Sequence, residues 1–303
     1  MISIPTVLVL GAGASKPFGF PIGRELVDVI IRETVDPTAL QIGQTLSRCG
    51  FSEHEISDFG QALRFSQRNS VDAFLERRQK YLEIGKAAIA AALIPFETEE
   101  RFQSGDWYRY LFNIMNTSFE EFDTNQLSVI TFNYDRSLEQ FLYTALRHSY
   151  GEGIPESAAK LRRIPIVHLH GQLGRLAELE ENGQKYEPRV TGGIVQERSK
   201  QIKIIHETTD DHLLSDPQFK AAHRMLTGAK RVCFLGFGYD STNLRRLLQP
   251  TNVLAGKWVV GSAMGFTDAE KGHIRKRVYG DLQLQHFSWG CLDTLRETGI
   301  LFP

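Results

Sequence analysis

Three short stretches carry residue types that can do chemistry: His168-Leu169-His170-Gly171, Thr131-Phe132-Asn133-Tyr134-Asp135 and Gly11-Ala12-Gly13-Ala14-Ser15. A histidine at the end of a buried strand, followed by glycine, can present its ring to a cleft, and an imidazole neutral near pH 7 suits a general base. His168 and His170 are two apart, so on an extended strand both rings face one side, a spacing that also suits a metal. The further ligands on offer, His206, His212, Asp210 and Asp211, are distant, so a base or a structural histidine is the stronger reading. The Asn133 amide can orient a sugar hydroxyl or a water, and Asp135 can accept from a hydroxyl. The competing role for Asp135 is an Asx turn that caps the next helix. The glycines at 11 and 13 allow a tight turn and close approach to a phosphate, with a helix start beyond them to supply N–H groups. An ordinary strand-to-helix turn is the alternative. The spacing fits neither a Walker loop nor GxGxxG.

These residues need elements to position them. Each stretch ends an apolar run that reads as a buried strand: Thr6 to Leu10, Leu127 to Phe132 and Ile164 to Leu169. Arg231 to Leu235, Trp258 to Val260 and Leu282 to Phe287 continue the series. Helical patterns cover Arg136 to Arg147, Ser241 to Leu248, Thr267 to Val278 and Leu292 to Thr298. The alternation predicts an α/β fold, a Rossmann-like parallel sheet with helices on both faces. Pro37 to Asp123 differs: Ala39 to Arg48, Glu53 to Ser66, Val71 to Leu93 and Arg101 to Phe119 are helical, with no convincing strand. It reads as a helical subdomain, 37–123, inserted in a sheet domain of 1–36 and 124–303. Gln172 to Asp211 is polar and irregular. In open parallel sheets ligands bind beyond the carboxyl ends of the strands. Gly11 to Ser15, Asn133 to Asp135, His170-Gly171, Gly236-Phe237-Gly238 and Gly261-Ser262 would then share one rim.

Composition narrows the function classes. A hydrophobic fraction of 42% is enough for a substantial core, so disorder is not expected. The 35 basic and 36 acidic residues nearly cancel, which gives no global attraction to nucleic acid or an anionic membrane. Cys49, Cys233 and Cys291 are scattered, form no CxxC pair, and fit three buried thiols in a reducing compartment. The apolar start, Ile4 to Leu10, is too short for a signal or a span, so a cytoplasmic protein is expected. Arg77-Arg78 reads as a solvated face, Arg245-Arg246 could meet a phosphate but reads more readily as surface, and no GxSxG nucleophile elbow occurs.

The stretches also resemble a family. GAGAS at Gly11, followed by Gly19-Phe20-Pro21 and Arg24, is similar to the opening motif of sirtuins. TFNYD at Thr131 resembles their Thr-x-Asn-x-Asp motif, and His170-Gly171 their catalytic His-Gly. Gly236-Phe237-Gly238 and Gly261-Ser262 resemble their later dinucleotide-holding strand ends, in matching order along nearly the whole chain. The resemblance implies NAD as ligand. Gly11, Ala12, Gly13, Ala14 and Ser15 would hold the diphosphate, and Arg24, Thr131, Gly236, Gly238 and Ser262 would complete the binding site. His170 would act on a ribose hydroxyl or a water, Asn133 would orient the ribose, and Asp135 would fix the ribose or the loop. Two departures matter. The paired-cysteine zinc module after His-Gly is absent, so no metal is expected, and Ile22-Gly23 stand where deacylases carry Asp-Phe. The chain is more similar to bacterial sirtuin-like domains of anti-phage defence. That implies hydrolysis of NAD to nicotinamide and ADP-ribose, with a protein deacylase or a non-catalytic NAD or ADP-ribose sensor as alternatives. Free hydrolysis would be toxic, so homo-oligomeric assembly or an activating partner encoded nearby is expected.

Overall fold

A computed structural model describes residues 1–36, 41–104, 106–204, 216–248, 252–278 and 281–303. Its centre is one six-stranded sheet of β1 (Thr6–Leu10), β2 (Leu127–Thr131), β3 (Ile166–His168), β4 (Arg231–Leu235), β5 (Trp258–Gly261) and β6 (Leu282–Leu284). The spatial order is β3-β2-β1-β4-β5-β6 and every neighbouring pair is parallel, the doubly wound Rossmann-like arrangement. Leu10 pairs with both Thr131 and Leu235, and Thr131 with His168. The carboxyl ends of β1 to β4 are therefore level, and the segments that follow them meet at one edge.

All five residues of β1 are buried, because it is covered on both faces. Side chains alternate across a strand. Leu8 and Leu10 join one apolar cluster with Ile30, Ile89, Trp107 and Leu142, while Val7 and Val9 join another with Phe219, Leu226, Leu244 and Ile274. The helices Gly23–Val35, Leu82–Leu93, Asp106–Ile114 and Ser137–Tyr150 thus supply the first layer. Pro217–Gly228, Ser241–Leu248 and Asp268–Arg277 supply the second. β3 and β6 are the edge strands and are shorter than their apolar runs, since each has one neighbour to pair with.

Among the described residues of 37–123 there are helices and 3₁₀ turns and no strand. The run from Val71 to Leu93, expected as one helix, is two. Val71–Leu75 ends, the chain turns through Arg78, and Tyr81 stacks on Phe74 at 5.7 Å before Leu82–Leu93 begins. Apart from Glu83 and Lys86, Leu82–Leu93 is apolar, and it is buried from Ile84 onward, as a core helix should be. The helix expected over Arg101 to Phe119 is reduced to Asp106–Ile114, preceded by a 3₁₀ turn.

Two further helices, Ile154–Leu161 and Pro217–Gly228, start with proline in the first turn, where its missing N–H costs nothing. The irregular excursion after β3 contains a helix, Gly192–Ser199, packed on Leu82–Leu93. The rest of the described excursion is held by Arg136. Its fully buried guanidinium pairs with Glu97 (2.8 Å) and donates to the carbonyls of Arg175, Gln184 and Lys185. Arg198 closes the cluster from the other side of Glu97. An arginine–glutamate–arginine triad ties this excursion to the helical segment.

Candidate functional site

Beyond the carboxyl ends of β1 to β4 lies a cavity of about 300 Å³. It sits where strand order reverses about β1, the position at which open α/β sheets bind ligands. Gly11, Ala12 and Ser15 reach it from β1, Phe132 to Asp135 from β2, His170 from β3, and Phe237 and Gly238 from β4.

His170 is 6% exposed, and its ring stands edge-on to Phe132 at 5.1 Å. Burial, assisted by the Arg246 guanidinium, holds its pKa down to about 3, so the imidazole is neutral at physiological pH. Its Nε2 has no partner among the described residues. Asn133, 8% exposed, is fixed on three sides. Its backbone N–H donates to Thr131 Oγ1 (3.0 Å), and its Nδ2 donates to the Gly11 carbonyl and to Ser15 Oγ (both 3.0 Å). Only Oδ1 lacks a partner. A buried polar atom without a partner costs about 1–3 kcal/mol. Two of them on one cavity make a site that a ligand with a hydroxyl or water would complete.

Asp135 plays a different part from these two. Oδ1 accepts from the Ser137 N–H (3.1 Å) and hydroxyl, and Oδ2 accepts from Ser15 Oγ (2.7 Å). The first pair is an Asx turn at the start of Ser137–Tyr150, and the last bond ties the β2 turn to the β1 turn. Burial raises this carboxyl above the usual range although the serines oppose it. Asp135 lines the cavity with both oxygens already engaged.

The two histidines do not share a side. β3 ends at His168, so the two-residue repeat does not extend to His170. His168 turns the other way, with Nδ1 at 2.9 Å from the Asn133 carbonyl and Nε2 at 2.6 Å from Glu139 Oε1. Among the described residues no group of three His, Cys, Asp or Glu could hold a metal. His206, His212, Asp210 and Asp211 lie outside the described residues.

The glycines are spent largely on each other. The N–H groups of Gly11 and Gly13 donate to the carbonyls of Leu235 and Gly236 (3.0 and 2.9 Å). Those of Ala14 and Ser15 close a 3₁₀ turn on Gly11 and Ala12. A Cβ on Gly11 or Gly13 would come within 2.7–2.8 Å of the backbone at Gly236 and Phe237. One on Gly236, whose φ is +56°, would reach 2.0 Å from the Ala14 nitrogen. These positions are small so that two strand-end turns can touch. Of the loop's five N–H groups, Ala12's is the one left for an anion, and Ala12 is exposed on the cavity. Trp107 Nε1 donates to the Ala14 carbonyl (2.8 Å) and braces the loop from the helical segment.

The remaining predicted binding residues divide. Gly238 lines the cavity. Thr131 lies beneath it and holds Asn133, while Ser262 Oγ accepts from the Gly236 N–H (2.8 Å) and fixes the β4 turn. Arg24 is half-exposed and paired with Asp28 (2.9 Å), away from the cavity lining. Arg246, expected on a solvated face, is 4% exposed and bears on His170. The three cysteines are buried thiols, and burial raises the pKa of each.

Two polar cavity residues that bear on the site, Asp72 and Asn243, carry no assignment in the sequence analysis. Asp72, from the inserted helix Val71–Leu75, accepts the Tyr134 hydroxyl, and Asn243 Oδ1 is a third buried atom without a partner. The cap at Asp240, which accepts from Thr242 and Asn243, was a usable signal for Asn243. Nothing in sequence marks Asp72, because the strand ends it covers are distant in the chain. The lining includes four carboxylates, Asp72, Glu76, Asp135 and Asp240, and no Lys or Arg among the described residues.

No helix among the described residues is long and apolar enough to cross a membrane. No curated protein matches the chain. The model of the SIR2-like domain family matches residues 127–260, less than half of the 303. The matched span contains Asn133, Asp135, His170, Gly236 and Gly238, and excludes Gly11 to Ser15 and Ser262. Over this span the chain is similar to SIR2-like domains.

Proposed function

We propose that the protein hydrolyses NAD at the nicotinamide–ribose bond, releasing nicotinamide and ADP-ribose, and does so in bacterial anti-phage defence by depleting NAD. The observation that carries this reading is the convergence of two partnerless buried atoms, His170 Nε2 and Asn133 Oδ1, on one cavity at the switch point of the sheet. Both lie within the matched span.

The bond to be broken joins ribose to a cationic ring that is already a good leaving group. The protein's work is then to orient the sugar, stabilise the positive charge that develops on it and deliver water. Asn133 Oδ1 is the acceptor for a ribose hydroxyl or the water. His170 Nε2, uncharged because it is buried, is the acceptor for a hydrogen of either; with a pKa of about 3 it shares the proton in the transition state and does not store it. The carboxylates of the lining favour a cationic ring over a neutral or anionic one. Phe132 and Phe237, tilted at 5.1 Å, give the site an apolar wall that limits bulk water. With most of the glycine loop's N–H groups engaged, and those of Thr242 and Asn243 taken by Asp240, the Ala12 N–H is the loop donor that remains for the diphosphate.

Control by self-assembly or by a separate activating protein belongs to the same proposal, since an unrestrained NAD hydrolase would harm its own cell. Chromatography of the protein incubated with NAD tests the reading. Equimolar nicotinamide and ADP-ribose, formed without an acyl-lysine peptide, are expected. Turnover only with such a peptide would make it a deacylase, and binding without turnover a sensor.

A further inference from the structure

Asn133 is held by four bonds, and two of them are to side chains outside the cavity, Thr131 and His168. His168 is 7% exposed and lies between two acceptors, the Asn133 carbonyl at 2.9 Å and Glu139 Oε1 at 2.6 Å. A carbonyl can only accept, so Nδ1 carries a hydrogen. At 2.6 Å a proton must also lie between Nε2 and the Glu139 carboxyl. Removing it would set two lone pairs against each other at that distance, and the ring would have to swing away from both partners. We infer that His168 is a positioning residue, which holds the Asn133 carbonyl, and with it the amide that faces the cavity, only while the His168–Glu139 pair keeps its shared proton.

The surroundings support a protonated ring. Burial lowers its pKa, but Glu139, the Asn133 carbonyl and Asp135 together outweigh burial and raise it. Tyr108 faces it across a small void from the helix Asp106–Ile114. On the outer edge of β3, Arg162, Arg175, Lys203 and Glu180 line the groove that His168 borders. All four are committed elsewhere: Arg175 and Glu180 to each other (2.6 Å), Lys203 to Asp216 (3.6 Å) and Arg162 to the Leu179 carbonyl (2.7 Å). Among the described residues Glu139 is the one charged group in hydrogen-bond contact with the ring.

This role rests on the proposed NAD cleavage, and its test has one arm that does not need activity. Nitrogen-15 NMR of the unliganded protein near neutral pH should show both His168 ring nitrogens protonated. The Asn133 backbone amide should then shift with the same midpoint as the ring when pH is raised. In the second arm kcat for nicotinamide release is followed against pH. Wild type should lose kcat as the pair gives up its proton. His168→Ala should lower kcat on the order of 10²-fold at every pH, as a misplaced group does. Glu139→Ala should behave similarly. The conservative Glu139→Gln, whose amide can donate to a neutral Nε2, should restore kcat and flatten the alkaline fall. A purely structural role would move melting temperature in all variants without changing the profile's shape. An unprotonated ring nitrogen at neutral pH, an Asn133 amide that ignores the ring's titration, or a wild-type alkaline fall in Glu139→Gln would each overturn the inference. Absence of nicotinamide release from wild type, with the NMR arm as expected, would overturn NAD cleavage and leave the positioning of Asn133 standing.

Discussion

His168 and His170 stand two residues apart and hold their protons in opposite ways. For His170 the folded pKa is about 3, against an ordinary value near 6.5. Between those values the unfolded chain takes a proton that the folded chain refuses, so stability falls as pH drops through that window, by about 1.4 kcal/mol per pH unit. His168 has a raised pKa, so its contribution is present in acid and is lost as pH rises through the folded value. His170→Asn should therefore lose less melting temperature than wild type between about pH 7 and about pH 5, a comparison that differential scanning calorimetry makes directly. Asn133→Asp replaces a donor aimed at the Gly11 carbonyl and Ser15 by a second acceptor. It should cost about 1–3 kcal/mol and abolish nicotinamide release, checked by chemical denaturation and by product chromatography. The candidacy of Asn133 and His170 was legible in sequence, because polar residues that end apolar runs in a parallel sheet have nowhere to go but the ligand edge. The engagement of Asp135 was half legible as an Asx turn. The outward turn of His168 was not, since it depends on where β3 stops.

The elements explain what the glycines are for. Gly236 and Gly238 are indistinguishable in the sequence, yet the structure separates them. A Cβ on Gly236 meets backbone at 2.0 Å at a positive φ, whereas one on Gly238 meets nothing within 4 Å. Gly236→Ala should unfold or severely destabilise the protein and Gly238→Ala should leave its melting temperature near wild type, as thermal unfolding would show. The Arg136–Glu97–Arg198 cluster gives a second contrast. Glu97→Ala would strand two buried guanidiniums and should cost about 3–5 kcal/mol, read from the urea midpoint. β1 and β4 were legible to the residue, since both are short apolar runs closed by glycine. Ile154–Leu161 and Pro217–Gly228 were missed because their opening prolines resemble loop punctuation. The break near Arg78 was hidden because Tyr81 folds back on Phe74 through tertiary packing, which no local periodicity records.

At the scale of the molecule, alternation of strand and helix made a parallel sheet legible, but not the strand order that puts the cavity beside β1. Nor could it show that residues 37–123 share a core with the sheet. Phe59, Ile89 and Trp107 lie in one apolar cluster with Leu8 and Leu10, and Asp72 and Trp107 reach the site itself. The helical segment thus forms one wall of the cavity. With both His168 nitrogens engaged and no group of three His, Cys, Asp or Glu among the described residues placed to hold a metal, protein purified without added metal should show no stoichiometric zinc, and a chelator should not shift its melting temperature. One zinc per chain by elemental analysis would mean that ligands outside the described residues complete a site. The central claim is that the cavity beyond β1 to β4 cleaves NAD with His170 as its base. It is tested most directly by nicotinamide release from NAD by wild type and His170→Ala, each measured beside its thermal unfolding. The variant is expected to melt close to wild type and to release nicotinamide more slowly by on the order of 10²–10⁴-fold. A His170→Ala protein that melts like wild type and releases nicotinamide at the wild-type rate would contradict it.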